Sequence, residues 1–263
     1  MDKEMLDTFV YFVNERENVR IRRAAGNLPP WTMDQILRDH HFCNIRREDD
    51  RGTKAIRKVV TDWDVEEIAD LPWVYTAARL FNHPITLHTY LMHGVEAVKK
   101  RRDQGSKTFN TAYVVSTCGK SMDKVDYVHR VVMEVANIQS LQIHNTSCRK
   151  VFDTLRTVDG LGSFLAGQVV ADLKNDRYLA DAEDWHTFSV MGPGSKKGLD
   201  HIFEGGTNER NYEDRISTLD ILTRGTIPKL HRQDLQNCCC EFSKYMRYDL
   251  ELPGRRRMFH ANT

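Results

Sequence analysis

The stretch from Thr157 to Leu173 limits the folds open to this chain more than any other. It places Gly160 and Gly162 one residue apart and then continues as a mostly apolar run. Glycine tolerates positive φ and lets a backbone approach a ligand closely, so this spacing predicts a tight turn. The apolar run that follows predicts a helix. We therefore expect two helices joined by a hairpin within about 149–174.

The predicted turn has two interpretations. In a helix-hairpin-helix element, the unpaired N–H groups that open the second helix hold a phosphate of a nucleic acid. Gly160, Gly162 and Ser163 would then contact a DNA backbone. An ordinary turn between two helices of a helical protein has the same spacing. The residues of this segment alone leave both interpretations open.

Helical spacing of apolar residues extends over most of the chain. Leu6, Phe9 and Val13 predict a helix over residues 3–24. Further helices are predicted over residues 32–42, 64–82, 84–102, 123–138, 214–222 and 231–248. The segment from Thr111 to Ser116 fits either a short strand or the start of a buried helix.

The fold class follows from this pattern. The sequence shows no series of alternating strands and no internal repeat, so we predict an all-α fold. One domain over residues 1–263 is expected, with an irregular basic tail from about residue 252.

Charge is almost balanced. The chain has 38 Lys and Arg against 37 Asp and Glu, for a net charge of +1. It therefore lacks the overall basic character of many nucleic-acid-binding domains, and such a surface must come from local clusters. Basic clusters lie within residues 16–23, 46–58, 99–102 and 255–257. Most runs of this kind are solvated faces, so they add little support for nucleic-acid binding.

Cysteine usage and apolar runs indicate the compartment. The six cysteines include no CxxC pair, and the histidines form no convincing metal-binding pair, so we expect neither disulfides nor a metal site. Reduced thiols are typical of the cytoplasm. The N-terminus lacks the apolar core of a signal peptide, and no apolar run reaches about 18 residues. We expect a cytoplasmic protein without a membrane span.

A second glycine-rich segment, Gly192-Pro193-Gly194-Ser195-Lys196-Lys197-Gly198, is predicted to be a loop before a short helix. The N–H groups of Gly192 and Gly194, the hydroxyl of Ser195 and the charge of Lys196 suit a phosphate or pyrophosphate. The spacing of an ATP-binding P-loop is absent here and at Gly119-Lys120-Ser121. A plain helix-capping turn is the alternative.

Asp184 follows the hairpin and is a candidate general base or charge-stabilising group. Helix-hairpin-helix DNA glycosylases place their catalytic aspartate at a similar distance after the hairpin, and the candidate role rests on that likeness. A helix cap at the surface is an equally good interpretation of Asp184. Asp181 is an alternative carboxylate.

The segment Asn44–Asp50 combines an amide, two guanidinium groups and carboxylates. Asn44 can bind the edge of a base, and Arg46 and Arg47 can each fork a phosphate. A solvated loop is the alternative.

The last predicted helix carries a polar stripe. Asn237, Glu241 and Lys244 share one of its faces by the i, i+3/i+4 rule. Such a stripe usually faces solvent, but the apolar neighbours suggest a packed helix whose polar side chains line a cavity. Gln236 and Asn237 would then bind a base, and Glu241 and Lys244 would take part in proton transfer.

Several blocks, taken in order, resemble the α-glutamyl/putrescinyl thymine pyrophosphorylases, also called amino acid:DNA transferases. The blocks are Pro30-Trp31-Thr32-x-Asp34, Phe42-x-Asn44-x-x-Arg47-x-x-Asp50, Phe109-x-x-Ala112-Tyr113, Gly160-Leu161-Gly162 through Ala166, Gly192-Pro193-Gly194-Ser195 and Asp234-x-Gln236-Asn237-x-x-x-Glu241-x-x-Lys244-Tyr245. They cover nearly the whole chain, and the resemblance rests on their order because no single motif is diagnostic. This family is found mostly in phages. The chain is also similar to the helical domain that accompanies 5-hydroxymethyluracil DNA kinases.

The resemblance implies a fold like that of helix-hairpin-helix DNA glycosylases and a reaction on DNA. A free amino acid or polyamine would displace pyrophosphate from 5-(pyrophosphoryloxymethyl)uracil, which a separate kinase would supply. The reaction requires no metal or nucleotide cofactor, although Mg²⁺ on the pyrophosphate is compatible with it. The compartment of a phage enzyme would be the host cytoplasm.

The resemblance also implies roles for the candidate residues. Asp184 or Glu241 would deprotonate the amine. A base outside the duplex would contact Asn44, Gln236 or Asn237. The leaving pyrophosphate would contact Arg46, Arg47 and the segment 192–198. The position of the hairpin between these two phosphate-binding segments favours the DNA-clamp interpretation of the turn.

Two other functions fit the same residues. A true DNA glycosylase would use the hairpin and Asp184, but it would leave the segment 192–198 without a role. A non-catalytic helical module that binds DNA beside a 5-hydroxymethyluracil DNA kinase would not need Asp184 or Glu241.

Overall fold

The computed structural model describes residues 1–110, 115–143 and 145–252. Regular structure in these residues is helical, which confirms the all-α prediction. None of the described helices combines the length and apolar character that a bilayer crossing needs. Residues 111–114, which hold Ala112 and Tyr113 of the third motif and most of the strand-or-helix segment, lie outside the described residues, as does the predicted basic tail from residue 253.

Eleven α-helices occur in the described residues. They are α1 (Lys3–Ala24), α2 (Gln35–Asp39), α3 (Arg51–Asp62), α4 (Leu71–Phe81), α5 (Pro84–Asp103), α6 (Lys124–Ala136), α7 (Cys148–Leu155), α8 (Ser163–Leu173), α9 (Pro193–Ile202), α10 (Tyr212–Thr223) and α11 (Arg232–Asp249). Short 3₁₀ turns cover Arg47–Asp49, Ile68–Asp70 and Gln139–Leu141. The predicted helix over residues 32–42 is shorter than expected because Asp34, not Thr32, caps α2.

The chain divides into two compact units. Unit 1 combines residues 1–50 with the chain from Ser189 onward, and unit 2 is the continuous segment Arg51–Phe188. Unit 1 therefore contains α1, α2 and α9–α11, and unit 2 contains α3–α8. The sequence analysis treated the chain as one domain and did not separate these units.

The core of unit 1 is aromatic. Phe9 and Phe12 come from one face of α1, and both rings pack on α11. Phe9 meets Phe242 edge to face, with ring centroids 5.3 Å apart, and Phe12 lies 5.2 Å from the ring of Tyr245. Phe42 closes the cluster at 5.7 Å from Phe12. The spacing of large apolar residues on α1 thus fixes α11 and the segment around residue 42 in one core.

The prediction of a loop over residues 192–198 is wrong, because α9 already begins at Pro193. Proline is well suited to the first turn of a helix. The glycines serve helix packing: a Cβ at Gly198 would overlap the carbonyl oxygen of Cys239, and one at Gly194 would overlap the thiol of Cys240. Glycine therefore allows α9 and α11 to approach closely.

Unit 2 is held by a buried ion pair between α4 and α8. The guanidinium of Arg79 is 3% exposed and the carboxylate of Asp172 is 1% exposed. Arg79 donates through two nitrogens to both carboxylate oxygens, at 2.5 Å for the Nη2–Oδ1 bond. Loss of either partner would strand a buried charge, so this pair fixes the position of α8.

Replacing Gly198 by alanine is expected to destabilise the protein by about 1–3 kcal/mol, because the new methyl group meets backbone that cannot move aside. Gly52→Ala is the matched control, since Gly52 lies in α3 with open space at its Cβ position. Urea unfolding of both variants measures the difference. Equal midpoints for Gly198→Ala and wild type would contradict the packing account.

Candidate functional site

The predicted hairpin lies between α7 and α8 in unit 2. Helix α7 ends at Leu155 and α8 begins at Ser163, within the predicted range. Gly160 has a φ of +111°, in the region that favours glycine, and Val158 and Leu161 anchor the turn in the core. Two helices joined by a glycine turn are thus confirmed, while contact with DNA stays a prediction.

The two glycines of the turn have different surroundings. A Cβ at Gly160 would lie 2.6 Å from the hydroxyl of Tyr127 and 2.9 Å from Cγ2 of Val131. Gly162 has nothing within 4 Å of its Cβ position. Gly160 is therefore required by packing within the protein, whereas Gly162 leaves open space beside the start of α8.

The start of α8 suits an anion. Gly162 is the N-cap and has no side chain with which to cap the helix. The first N–H bonded to a carbonyl four residues back is that of Ala166, which donates to Gly162 O at 3.0 Å. The N–H groups of the first turn precede this bond, and the helix dipole places partial positive charge there.

Cations surround the same turn. Lys120 forms an ion pair with the side chain of Asp159, and Arg130 donates to the carbonyl oxygen of Asp159 at 2.9 Å. The hydrogen bond from Lys120 is the main reason why the pKa of Asp159 is lowered. Arg130 thus contributes its charge through a carbonyl contact, which leaves that charge unneutralised at this bond.

Asp184 binds the start of α7. Its carboxylate accepts the N–H of Cys148 at 2.7 Å, the N–H of Arg149 at 2.9 Å and the hydroxyl of Ser147 at 3.2 Å. Burial acts to raise the pKa of Asp184, but these bonds outweigh it and hold the pKa below its usual value. A carboxylate with three donors and a lowered pKa is a weak base, so the geometry corresponds to the helix-cap alternative rather than to a general base.

The polar stripe of α11 lies in unit 1 and binds the backbone of the segment 41–47. Each member of the stripe contacts one backbone group of that segment. Asp234 accepts from Arg47 N at 3.1 Å, Asn237 donates to Asn44 O at 3.2 Å, Glu241 accepts from Cys43 N at 2.9 Å, and Lys244 donates to His41 O. The stripe therefore does not simply face solvent, and the structure brings it together with the predicted Asn44 block.

Arg16 completes this cluster and was missed as a site residue by the sequence analysis. Its side chain is 7% exposed, and it donates to Cys43 O at 3.0 Å, Phe42 O at 3.2 Å and Asn44 Oδ1 at 2.6 Å. Its Nη1 is buried without a hydrogen-bond partner in the part of the chain that the structure describes. The signal in the sequence is its position on the apolar face of α1, three residues after Val13.

Asp50 is a second residue that the sequence analysis did not single out. Its carboxylate accepts from Asn44 N at 2.9 Å. Burial raises the pKa of Asp50, and the nearby charge of Glu241 acts in the same direction, against the opposing effects of Asn44 and Arg16. A half-buried carboxyl group with a raised pKa beside a second carboxylate is suited to proton transfer.

The other predicted phosphate ligands are engaged in local bonds. Arg46 pairs with Glu17 at 2.8 Å, and Lys196 pairs with Asp200 at 2.9 Å. The hydroxyl of Ser195 is fully buried and exchanges hydrogen bonds with the N–H and carbonyl of Gly192, as in the helix-capping alternative. Their contact with phosphate stays a prediction.

Gln236 also takes part in a local bond, since its Oε1 accepts from Gln233 Nε2 at 3.3 Å. The candidate residues thus fall into two sets. Asp184, Gly160, Gly162 and Ser163 belong to unit 2, and the remaining candidates belong to unit 1. The described residues contain no group of three or more His, Cys, Asp or Glu side chains that could hold a metal ion.

A family model described as the helical domain of 5-hmdU DNA kinase matches residues 3–252. This match spans all eleven described helices of both units. The chain belongs to the family of 5-hmdU DNA kinase helical domains. A protein named 5-hmdU DNA kinase from Bacillus phage SP10 is 24% identical, over 91% of this chain and 45% of that protein. The chain therefore spans less than half of this relative, and no solved structure matches it.

Replacing Asp184 by alanine is expected to destabilise this helical domain by about 1–2 kcal/mol at neutral pH, because α7 loses its carboxylate cap. Since the pKa of Asp184 is lowered in the folded state, its contribution is complete above the unfolded value near 3.8 and disappears as pH falls through the folded pKa. The difference in unfolding free energy between wild type and variant should therefore shrink below about pH 4.

Asp181→Ala is the matched control, since Asp181 is an exposed carboxylate nearby in sequence. Urea unfolding at pH 7 and pH 3 measures both variants. If Asp184→Ala unfolds like wild type at pH 7, the cap is not a stabilising contact.

Proposed function

We propose that this chain binds DNA that carries 5-hydroxymethyluracil-derived bases and serves thymine hypermodification together with a 5-hydroxymethyluracil DNA kinase. The observation that carries this proposal is the start of α8, where Gly162 leaves open space and supplies no side-chain cap. Membership of the kinase helical-domain family supports the choice of modified DNA as partner.

The chemistry of the contact follows from the turn. A DNA phosphate beside Gly162 would accept the N–H groups of the first turn of α8 and gain from the helix dipole. The cations Lys120 and Arg130 lie at the same turn and add attraction. Such a contact is independent of base sequence, so recognition of the modified base requires other residues of the chain.

A charge change at Ser163 tests this contact. Ser163→Asp should weaken binding to a DNA duplex by about tenfold or more, because a carboxylate at the first position of α8 repels the phosphate. The same carboxylate favours the start of a helix, so the fold should be retained. Ser163→Asn is the neutral control of nearly equal size.

Fluorescence anisotropy with labelled duplexes that contain thymine or 5-hydroxymethyluracil measures the affinities, at two salt concentrations. The wild type should lose affinity as salt rises, as a phosphate contact requires. Equal affinities of Ser163→Asp and Ser163→Asn would rule out the start of α8 as the contact.

Amine transfer is the second candidate function, and the pairing of Glu241 with Asp50 favours it. The amine nitrogen of a free amino acid or polyamine would attack the exocyclic methylene carbon of 5-(pyrophosphoryloxymethyl)uracil. The carbon–oxygen bond to pyrophosphate would break, and one amine proton would pass to a carboxylate. Asp50, with its raised pKa, and Glu241 are the carboxylates of the cluster around Arg16. Lys244 lies 3.7 Å from Glu241 and adds positive charge.

The remaining unit 1 candidates have roles in this second function. Asn44, Gln236 and Asn237 would bind the base. The pyrophosphate would be held by Arg46, Arg47 and the start of α9, which includes Gly192, Gly194, Ser195 and Lys196. The reaction as written balances without a metal or a nucleotide cofactor, and Mg²⁺ would act only on the leaving pyrophosphate.

Glu241→Gln tests the transfer reaction, because a glutamine oxygen can still accept the N–H of Cys43 while it cannot take a proton. We expect a loss of about a hundredfold or more in amine adduct, with unchanged DNA affinity. Glu209→Gln, at an exposed acid of unit 1, is the control.

Digestion of pyrophosphorylated DNA to nucleosides, followed by mass spectrometry, detects the adduct, and a phosphate assay detects released pyrophosphate. Without adduct or pyrophosphate from any of a pool of amines, the transfer function fails. DNA binding by the same wild-type preparation would then leave the first function in place.

A further inference from the structure

A cavity of about 550 Å³ lies in unit 2, at the end of α8 opposite the hairpin. It is large enough to hold a small phosphorylated compound, since ligand pockets commonly measure about 300–1,000 Å³. Arg57 of α3, Lys174 and Arg177 bring three cations to its lining, and Thr61, Asn175 and Trp185 contribute a hydroxyl, an amide and an indole. None of the functions considered above uses this cavity.

The lining carries an excess of positive charge. Asp176 is the one acid among the lining residues of the described chain, against the three cations. Both of its carboxylate oxygens already have donors, since Oδ1 accepts the N–H of Arg177 at 2.7 Å and Oδ2 accepts the hydroxyl of Tyr75. Arg57 is more distant, with Nη1 at 4.0 Å from Oδ2. A single carboxylate bound by other donors cannot neutralise the three cations.

The two guanidinium groups are held by carbonyl oxygens. Arg57 donates to Asn175 O at 2.6 Å, and Arg177 donates to Val65 O. A carbonyl oxygen fixes the direction of a guanidinium without removing its charge, so both arginines keep a net charge that can attract an anion.

Lys174 adds a fully buried ammonium, which lies 4.5 Å from the ring centroid of Trp185. Burying a charge is costly unless other groups compensate it, and a cation over an indole recovers part of that cost. The exposed end of α8 does not explain the three cations either. Its terminal carbonyls already accept from Arg57 and from the indole N–H of Trp185.

We propose that this cavity binds a phosphate group of a nucleotide. Arg57 and Arg177 would bind the phosphate oxygens, and Lys174 would contribute its charge from behind the Trp185 ring. Thymidine 5′-monophosphate, inorganic pyrophosphate and a DNA strand all present this chemistry. The inference goes beyond the DNA contact at the start of α8, because free phosphate compounds test it without any DNA.

The cavity offers an exposed position at which charge can be changed without altering the core. Ala180 lines the cavity and is exposed to solvent. Ala180→Glu places a negative charge at the rim, and Ala180→Gln places a neutral side chain of nearly equal size there. Any difference between the two variants reports charge rather than steric blockage.

Isothermal titration calorimetry of the full chain measures the binding of thymidine 5′-monophosphate, pyrophosphate and a single-stranded oligonucleotide, with thymidine as the phosphate-free probe. We expect Ala180→Glu to bind at least one phosphate probe about tenfold or more weakly than Ala180→Gln, and thymidine not to bind. Arg177→Gln should weaken binding as well, whereas Lys58→Gln, at an exposed lysine of α3, should not. Thermal unfolding verifies that each variant is folded.

The choice among the phosphate probes identifies the source of the phosphate. Binding by the oligonucleotide alone indicates a strand of DNA, and binding by the small probes indicates a free phosphate compound. If the Ala180 variants bind all probes equally, or if thymidine binds as well as its monophosphate, the proposal is overturned. The Ser163 variants do not alter the cavity lining, so failure here is distinguishable from failure of the proposed function.

Discussion

Buried backbone groups need hydrogen-bond partners, and much of this structure depends on polar side chains that satisfy them over long distances in sequence. Glu241 and Lys244 bind the backbone at residues 43 and 41, and Arg16 binds three oxygens of the same segment. Asp184 does the same for the start of α7. Without these bonds, the loop before residue 50 and the helix before the hairpin would each expose unpaired donors or acceptors to the core.

This constraint separates positions with a structural bond from positions that remain available to a ligand. Asp184 and Ser195 each complete a helix cap, which the residue type alone did not distinguish from catalysis. The start of α8 has no such cap, and Gly162 leaves open space beside it. DNA binding at the hairpin therefore follows from a missing bond, whereas amine transfer would require residues that already hold the loop.

The sequence predicted local features well and long-range partners poorly. Apolar periodicity located α1 and α11, and the two glycines located the hairpin, because both signals reside within a few neighbouring residues. The helix at 193 was mistaken for a loop since Gly194 and Gly198 also read as turn residues. Their real constraint is the close approach of α11, which lies some 40 residues further along the chain. Arg16 and Asp50 were missed for the same reason, as their burial depends on partners distant in sequence.

The central claim is that the start of α8 contacts a DNA phosphate, and amide NMR tests it directly. In a titration of the labelled protein with a duplex that contains 5-hydroxymethyluracil, the N–H signals of Gly162 and Ser163 should shift downfield and saturate with the binding isotherm, as expected for new charge-assisted hydrogen bonds. The N–H signal of Cys148, bonded to Asp184, should move little. Unchanged Gly162 and Ser163 signals at saturating DNA would contradict the account.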